Sequence, residues 1–172
     1  MPVRAAGPDD FDAILRMNQE SVHFLSPMDR DRLTALHQMA AYHGVIDAGD
    51  GRACAFLLAM REGCDYDSAN YQWFAARYAR FLYIDRVVIA GDQQGRGLGR
   101  QLYADLLSFA RANGVESVAC EFDTDPPNEP SRRFHMSHGF CEVGTHRVGA
   151  SHKQVAMQML RLGPSGSGPA LT

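Results

Sequence analysis

Hydrophobic and polar positions recur with two different periods along the chain, and the change of period marks the predicted helices and strands. Apolar residues three and four apart, such as Phe11, Ile14 and Leu15, predict helices, and acidic residues lie where a helix N-terminus favours negative charge. Short apolar runs bounded by turn residues predict strands. The expected order is a strand at 3–6, helices from Pro8 and over 28–41, strands at 42–47, 52–61 and 81–90, a helix over 96–113, a strand at 117–122, a helix over 128–138, and strands at 140–148 and 154–160.

Residues 62–80 show neither the helical nor the strand period, and no strand or helix is assigned to them. The segment combines a glycine and three acidic residues with five aromatic residues. Aromatic rings and carboxylates together suit a cationic amine. A small hydrophobic flap with core aromatics is an equally good interpretation. The five aromatic residues are Tyr66, Tyr71, Trp73, Phe74 and Tyr78.

The predicted element order gives an α/β (α+β) fold around one mixed sheet. A length of 172 residues fits one domain with a full core, here 1–162. Hydrophobic residues make up 45% of the chain and charged residues 22%, values close to those of globular proteins, so a packed core is expected. Residues 163–172 are rich in Gly, Pro and Ser and are expected to form a flexible tail.

Charge and hydropathy exclude several classes of partner. A net charge of −3 and a pI near 6.1 argue against a general electrostatic grip on nucleic acid. No apolar run approaches the roughly 18–20 residues that span a bilayer, and the N-terminus lacks the apolar core of a signal peptide. The four cysteines include no C-x-x-C pair and are expected to be reduced thiols. A cytoplasmic protein without nucleic-acid or membrane partners is therefore predicted.

A glycine-rich turn separates the predicted strand 81–90 from the predicted helix 96–113. Glycines at alternate positions remove Cβ atoms where a backbone must approach a ligand closely. The free N–H groups and the positive dipole end of a helix N-terminus suit an anion, and two arginines add positive charge, so a diphosphate fits better than a neutral ligand. The candidate binding residues are Gln94, Gly95, Arg96, Gly97, Leu98, Gly99 and Arg100.

The turn has three other interpretations. The glycines could simply let the strand and the helix pack tightly. A Walker phosphate loop would need a Lys-Ser/Thr pair that does not follow here. A dinucleotide fingerprint would read G-x-G-x-x-G early in the chain, whereas this sequence has G-x-G-x-G past its middle.

At these residues the sequence resembles the GCN5-related N-acetyltransferase (GNAT) superfamily, whose signature is [QR]-x-x-G-x-[GA]. The resemblance extends in element order over roughly 3–160. It implies a mixed, mostly antiparallel sheet of six to seven strands with splayed parallel central strands and about four helices. It also implies that acetyl-CoA binds with its pyrophosphate on the turn and its pantetheine along one strand. Gln94, Gly97 and Gly99 match the signature, and the pantetheine strand would be Val87, Val88 and Ile89.

A second segment, 128–140, is similar to the family's pattern N-x-x-[SA]-x-x-F-Y-x-x-x-G-F. By this resemblance Asn128 would hydrogen-bond the pantetheine, Phe134 would pack near it, and Ser131 would belong to the same donor site. The residues that match are Asn128, Ser131, Phe134, Gly139 and Phe140.

His135 stands where the family often has a Tyr that protonates the leaving CoA thiolate. An imidazolium can donate a proton, so His135 is a candidate general acid as well as a donor-site residue. The alternative is a half-buried helix residue that is satisfied by a backbone carbonyl. His138 lies three residues further on, but no third ligand is evident and no metal is expected.

Two carboxylates inside apolar segments, Asp85 and Glu121, are the candidates for the catalytic base. An alkylammonium must lose a proton before it can attack a thioester, and a carboxylate can take that proton directly or through water. A structural ion pair, for instance of Asp85 with Arg86 or Arg132, is the alternative, and the sequence does not choose between the two carboxylates.

The predicted activity is that of an acyl-CoA-dependent N-acetyltransferase, with residues 1–162 as its domain. The resemblance implies direct attack by a small-molecule or peptide amine on acetyl-CoA in a ternary complex. No nucleophilic cysteine is required. The alternative from another class is a non-catalytic acyl-CoA sensor or interaction module, and an NAD-dependent oxidoreductase is disfavoured by the motif. The oligomeric state is left open, with a homodimer as one option.

Overall fold

The computed structural model describes residues 2–23, 25–149 and 153–163. Within them the chain forms seven strands and five α-helices. The predicted flexible tail begins at Gly163, and its residues 164–172 lie outside the described residues. The elements are β1 (Val3–Ala5), α1 (Phe11–Glu20), α2 (Arg30–Met39), β2 (Tyr42–Asp47), β3 (Ala53–Arg61), α3 (Ala69–Ala75), β4 (Leu82–Ile89), α4 (Leu98–Ala112), β5 (Ser117–Asp125), α5 (Glu129–Ser137), β6 (Cys141–Val148) and β7 (Lys153–Arg161).

The seven strands form one sheet in the order β1-β2-β3-β4-β5-β7-β6. β1 pairs antiparallel with β2, β2 with β3, β5 with β7, and β6 with β7. β4 and β5 pair in parallel, and their register joins Leu82 to Val118 and Tyr83 to Ala119, near the start of each strand. The predicted mixed, mostly antiparallel sheet with a central parallel pair is therefore confirmed.

The first compact unit consists of Met1–Asp65 and Ile84–Ser108. Helix α1 packs on β3 with an apolar face that includes Ile14, which is fully buried, as is Phe56. Arg4 of β1 forms ion pairs at 2.7 Å with Asp10 and with Asp47. The hydrogen bonds from Arg4 hold the pKa of the Asp10 carboxyl below its usual range.

Among the described residues, the second compact unit consists of Tyr66–Tyr83 and of the chain from Phe109 onward. Strand β7 lies between β5 and β6. An aromatic cluster fills this unit, with ring centroids of neighbouring members 5.5 to 6.5 Å apart. Three of the five aromatic residues of segment 62–80, Tyr66, Tyr71 and Phe74, are buried in this cluster, which favours their interpretation as core. Trp73 and Tyr78 are half-buried, and the Arg77 guanidinium lies 4.0 Å from the Trp73 ring centroid. The cluster, called here the aromatic core, consists of Tyr66, Tyr71, Phe74, Phe81 and Tyr83.

Helix α3 was not predicted, since it lies inside the aromatic segment 62–80. Its N-cap is Ser68, whose hydroxyl accepts a hydrogen bond from the Tyr71 N–H. Its buried face consists of Tyr71 and Phe74, which are three residues apart and so lie on one side of a helix. This helix brings the total to five where about four were expected. The other predicted elements are present with boundaries that differ by at most three residues.

Candidate functional site

The glycine-rich turn joins β4 to α4 in the first unit, as the sequence predicts. Gly95 and Gly97 have φ angles of +76° and +78°, which side-chain-bearing residues rarely adopt. A Cβ atom built on either glycine would meet no other atom within 4 Å, so the turn is open on this side. Helix α4 then begins at Leu98, which is buried and anchors the helix start.

The charge around the turn suits an anion. Arg96 and Arg100 are exposed at the start of α4, and the Arg96 guanidinium donates to the Gln93 side-chain oxygen at 2.5 Å. The first N–H groups of any α-helix have no partner within the helix, and the helix dipole places positive charge at the same end. An open glycine turn, unpaired helix amides and two arginines together form an anion-binding arrangement.

A cavity of about 210 Å³ lies in the first unit beside the last residues of β4. Arg16 and Arg52 line it together with the acids Glu20, Asp50 and Asp92. Cys54 also borders it, and burial raises the pKa of that thiol. The mixed charge of this cavity gives it no preference for one sign of ligand.

The candidate pantetheine strand presents its residues to two sides. Val88 is buried in the core cluster formed with α1 and β3, whereas Val87 and Ile89 are half-buried. This alternation is the normal consequence of a strand's two-residue period. Of the three, only the side chains of Val87 and Ile89 are therefore partly exposed.

Asp85 takes part in a buried ion pair, one of the two interpretations offered above. The Arg86 Nε donates to Asp85 Oδ2 at 2.6 Å, with 6% and 5% of the two side chains exposed. Arg86 also donates to Asn18 Oδ1 at 2.7 Å. The Asp85 carboxylate neutralises the buried Arg86 guanidinium, which favours the structural interpretation of Asp85.

Glu121 lies on β5 in the second unit and has polar partners from two other elements. Its Oε1 accepts a hydrogen bond from the Tyr83 hydroxyl at 3.0 Å and another from Asn70 Nδ2 at 3.0 Å. The residue as a whole is half-buried, whereas its Oε2 atom is buried. Both donors are neutral groups, an amide and a hydroxyl, which differs from the guanidinium that pairs with Asp85.

Ser131 links the N-terminal cap of α5 to His135. The side chain of Asn128 caps the helix at the Ser131 N–H, and the Ser131 carbonyl contacts the His135 ring. Asn128 Oδ1 accepts from the Ser131 N–H at 3.3 Å. The Ser131 carbonyl lies 2.7 Å from His135 Nδ1, and because a carbonyl only accepts, Nδ1 carries the proton. The Ser131 hydroxyl is 3.3 Å from the same nitrogen.

The environment of His135 favours the neutral ring. Only 5% of the residue is exposed, and burial lowers its pKa to about 4, against a smaller raising effect of the Ser131 carbonyl. At neutral pH the single ring proton is on Nδ1 and is donated to Ser131. This geometry supports the interpretation of His135 as a helix residue satisfied by a carbonyl more than that of an imidazolium acid.

Phe134 is half-buried and packs on the ring of His138 with centroids 4.4 Å apart. His138 Nδ1 lies 2.8 Å from the Phe134 carbonyl. Among the residues that the structure describes, no group of three or more His, Cys, Asp or Glu side chains could hold a metal ion.

Cys120 precedes Glu121 on β5 and is fully inside the protein. Burial, and secondarily the neighbouring Glu121 charge, raises the pKa of its thiol well above the usual value. A thiol in this state is protonated at neutral pH and is a poor nucleophile.

The structure gathers the sequence-predicted residues into two sets. In the first unit, the strand residues 85 and 87–89 lead into the turn residues 94–100. In the second unit, Glu121 is on β5, and Asn128, Ser131, Phe134 and His135 share helix α5 or its cap. Two polar partners of Glu121, Tyr83 and Asn70, were not predicted. Tyr83 could have been found from the sequence, because it places a hydroxyl inside the apolar strand 81–90. No feature of the sequence around Asn70 points to its contact with Glu121.

Within the part of the chain that the structure describes, no helix combines the length and apolarity that a membrane crossing requires. The model of the Acetyltransferase (GNAT) family matches residues 11–140. A search of curated protein sequences finds no match to this chain.

Solved structures share the fold over nearly the whole chain. Ard1 from Thermoplasma volcanium has a TM-score of 0.75 and 17% identity, and covers 93% of this chain and 96% of its own. YncA from Salmonella typhimurium, a putative acetyltransferase solved with its cofactor acetyl-CoA, has a TM-score of 0.73 and 20% identity, with 99% of both chains covered. The ribosomal-protein-S18-alanine N-acetyltransferase from Escherichia coli has a TM-score of 0.70 and 16% identity, and covers 99% of this chain and 97% of its own.

Proposed function

The chain belongs to the GNAT acetyltransferase family, and from this membership we propose that it transfers an acetyl group from acetyl-CoA to a primary amine of a small molecule or peptide. The observation that carries the proposal is the turn between β4 and α4. Its two positive-φ glycines, its open face and the start of α4 provide backbone N–H groups for a pyrophosphate. Arg96 and Arg100 would add charge-assisted contacts to the same group.

The proposed donor site also includes Val87, Val88 and Ile89, which would contact the pantetheine through the backbone and half-buried side chains of β4. On α5, Asn128 would offer its side-chain N–H groups, because its oxygen already caps the helix. Ser131 and Phe134 would complete the donor site, as the family resemblance implies. Acetyl-CoA is the acyl donor in this scheme, and no metal takes part.

Glu121 is the base in the proposed reaction. An ammonium proton passes to its carboxylate, directly or through a water molecule, and the free amine then attacks the thioester carbonyl. The new C–N bond forms and the C–S bond breaks, the attacking nitrogen releases its second proton to solvent as the amide forms, and the CoA thiolate takes up a proton. Asp85 is the weaker candidate because its ion pair with Arg86 holds its charge. The proton for the thiolate comes from solvent, because the single ring proton of His135 is already donated to the Ser131 carbonyl.

The test combines a binding measurement with a turnover measurement. Acetyl-CoA binding is followed by calorimetry, and free thiol release from acetyl-CoA is followed over a broad panel of primary amines. We expect binding in the absence of an amine and thiol release that depends on one class of amine. Binding without turnover over the whole panel would favour a non-catalytic acyl-CoA sensor, and the absence of binding would overturn the donor assignment.

A further inference from the structure

Three elements of the second unit meet at one carboxylate oxygen. Tyr83 near the start of β4 and Asn70 in the first turn of α3 both donate to Glu121 Oε1, at 3.0 Å each. The two donors are 38 and 51 residues away from Glu121 along the chain. Only the tertiary fold can bring these residues together. Glu121, on which the two donors converge, is the residue that accepts a proton in the proposed function.

The hydroxyl of Tyr83 is held in place by its ring. The residue is 1% exposed, and its ring centroid lies 5.8 Å from that of Tyr71, 5.9 Å from Phe74 and 6.5 Å from Tyr66. The β4–β5 register pairs Tyr83 with Ala119, two residues before Glu121 on the neighbouring strand. The aromatic core therefore fixes the direction from which this donor reaches Oε1.

The amide of Asn70 has a defined orientation. A carboxylate only accepts hydrogen bonds, so Nδ2 faces Glu121 and Oδ1 points the other way. Among the described residues, Asn70 Oδ1 is buried with no hydrogen-bond partner. A buried oxygen without a donor destabilises a fold, so a residue selected only for stability would be apolar here. The hydrogen bond that Asn70 Nδ2 donates to Glu121 offsets this cost in stability.

We propose that Asn70 and Tyr83 are positioning residues that orient the Glu121 carboxylate toward the acceptor ammonium. This inference rests on the proposed function, in which Glu121 is the base. A general base must be held within hydrogen-bond reach of the proton it takes, and two donors on one oxygen restrict rotation of the carboxylate. The proton moves from the ammonium nitrogen to Glu121, and Asn70 and Tyr83 neither gain nor lose one.

The experiment is a set of double-mutant cycles, with the best amine of the panel as acceptor. Tyr83→Phe and Asn70→Ala are measured alone and in a Glu121→Gln background. Each single variant should lower kcat about tenfold or more, the usual scale for groups that support a catalytic residue, with the KM for acetyl-CoA unchanged. In the Glu121→Gln background the same substitutions should cause no further loss, because their effect passes through the carboxylate.

Tyr78→Phe is the matched control, since it removes a tyrosine hydroxyl from the same unit and Tyr78 packs on Phe74 with ring centroids 6.2 Å apart, away from the two hydrogen bonds to Glu121 Oε1. It should leave kcat unchanged. Thermal unfolding of each variant checks that it is folded at the assay temperature, so that a loss of kcat is not a loss of folded protein.

A second readout does not require turnover. Hydrogen bonds to a carboxylate favour its charged form, so their removal should move the ¹³C titration of the Glu121 carboxyl to higher pH in both single variants. Unchanged titrations, unchanged kcat or fully additive losses in the double variants would each overturn the positioning role. If Glu121→Gln were fully active, the base assignment and the positioning role would both fall. If it were impaired while Tyr83→Phe and Asn70→Ala stayed normal, only the positioning role would.

Discussion

Asp85 and Glu121 are both carboxylates in central strands, but their surroundings differ. Asp85 balances the buried Arg86 guanidinium, whereas the Glu121 carboxylate receives two neutral donors. The same change from carboxylate to amide should therefore have different consequences at the two positions. Comparing Asp85→Asn with Glu121→Gln therefore distinguishes a carboxylate that stabilises the fold from one that acts as the base.

Glu121→Gln should lower the rate about 10²-fold or more at neutral pH, as expected for a lost general base. The loss should shrink at high pH, where the free amine is abundant. The measurement is kcat/KM against pH, with melting temperature as the check on folding. A Glu121→Gln enzyme with the wild-type rate at neutral pH would exclude Glu121 as the base.

Asp85→Asn should act mainly on stability. It leaves Arg86 buried without its carboxylate, a change that typically costs about 3–5 kcal/mol. Urea unfolding at neutral pH measures this loss, and Arg86→Met in the Asp85→Asn background should recover part of it. A stable Asp85→Asn protein with a strongly reduced rate would instead make Asp85 the base.

His135 tests the remaining acid assignment at the residue scale. With a pKa near 4 and its proton on the Nδ1 that faces Ser131, the ring should contribute little proton donation at neutral pH. His135→Phe should therefore reduce turnover less than tenfold, below the usual ~10²–10⁴ range of acid–base residues. A larger loss in kcat, with acetyl-CoA binding retained and activity restored in His135→Tyr, would establish the acid role.

The β4–α4 turn is the element on which the proposed donor binding depends. Gly97 has a φ of +78°, so any side chain strains the backbone whatever the free space around it. Gly97→Val should weaken acetyl-CoA binding about tenfold or more, because the added side chain occupies the open face where a pyrophosphate would approach the backbone, and a loss of about 1.4 kcal/mol is tenfold in affinity. Isothermal titration calorimetry measures the change.

Gly91 supplies the matched control for this turn. It lies in the same connection, has open space at its Cβ position and does not have a positive φ. Gly91→Ala should keep the wild-type affinity for acetyl-CoA. Equal affinity in the folded Gly97→Val and Gly91→Ala proteins would show that the pyrophosphate does not bind at the turn.

At the scale of the whole molecule, two histidines link stability to pH, the half-buried His43 in the first unit and the buried His135 in the second. Burial lowers the pKa of His43 and of His135 to about 4. The nearby charge of Asp10 raises the His43 pKa only in part, and His37, whose Nδ1 is 2.9 Å from His43 Nδ1, lowers it. Both rings are therefore neutral in the folded protein where the unfolded chain already binds protons.

Because the unfolded state binds more protons below about pH 6.5, stability should fall between about pH 6.5 and 4. Each histidine should cost about 2 kcal/mol at pH 5, from 1.36 kcal/mol per pH unit. Urea unfolding at pH 7.5 and 5 measures the difference, and His135→Phe should remove its own share. Asp10, whose pKa is lowered, loses its contribution only in more acidic solution. Equal stability at both pH values would contradict this expectation.

The sequence by itself determined the elements whose pattern is local. Hydrophobic period predicted eleven of the twelve strands and helices, and the Gln94–Gly99 spacing predicted the turn, because backbone conformation there depends on neighbouring residues. Helix α3 was not predicted because aromatic residues are weak helix formers. The spacing of Tyr71 and Phe74 indicates a helix face only once both residues are known to be buried.

The tertiary structure alone decided the chemical state of the candidate site residues. Only it showed that Arg86 pairs with Asp85, that burial keeps His135 neutral, and that Tyr83 and Asn70 converge on Glu121. These properties arise from desolvation and from partners 38 or 51 residues away in the chain. No pattern of neighbouring residues encodes such distances, so the sequence could name Glu121 as a candidate but not the groups that hold it.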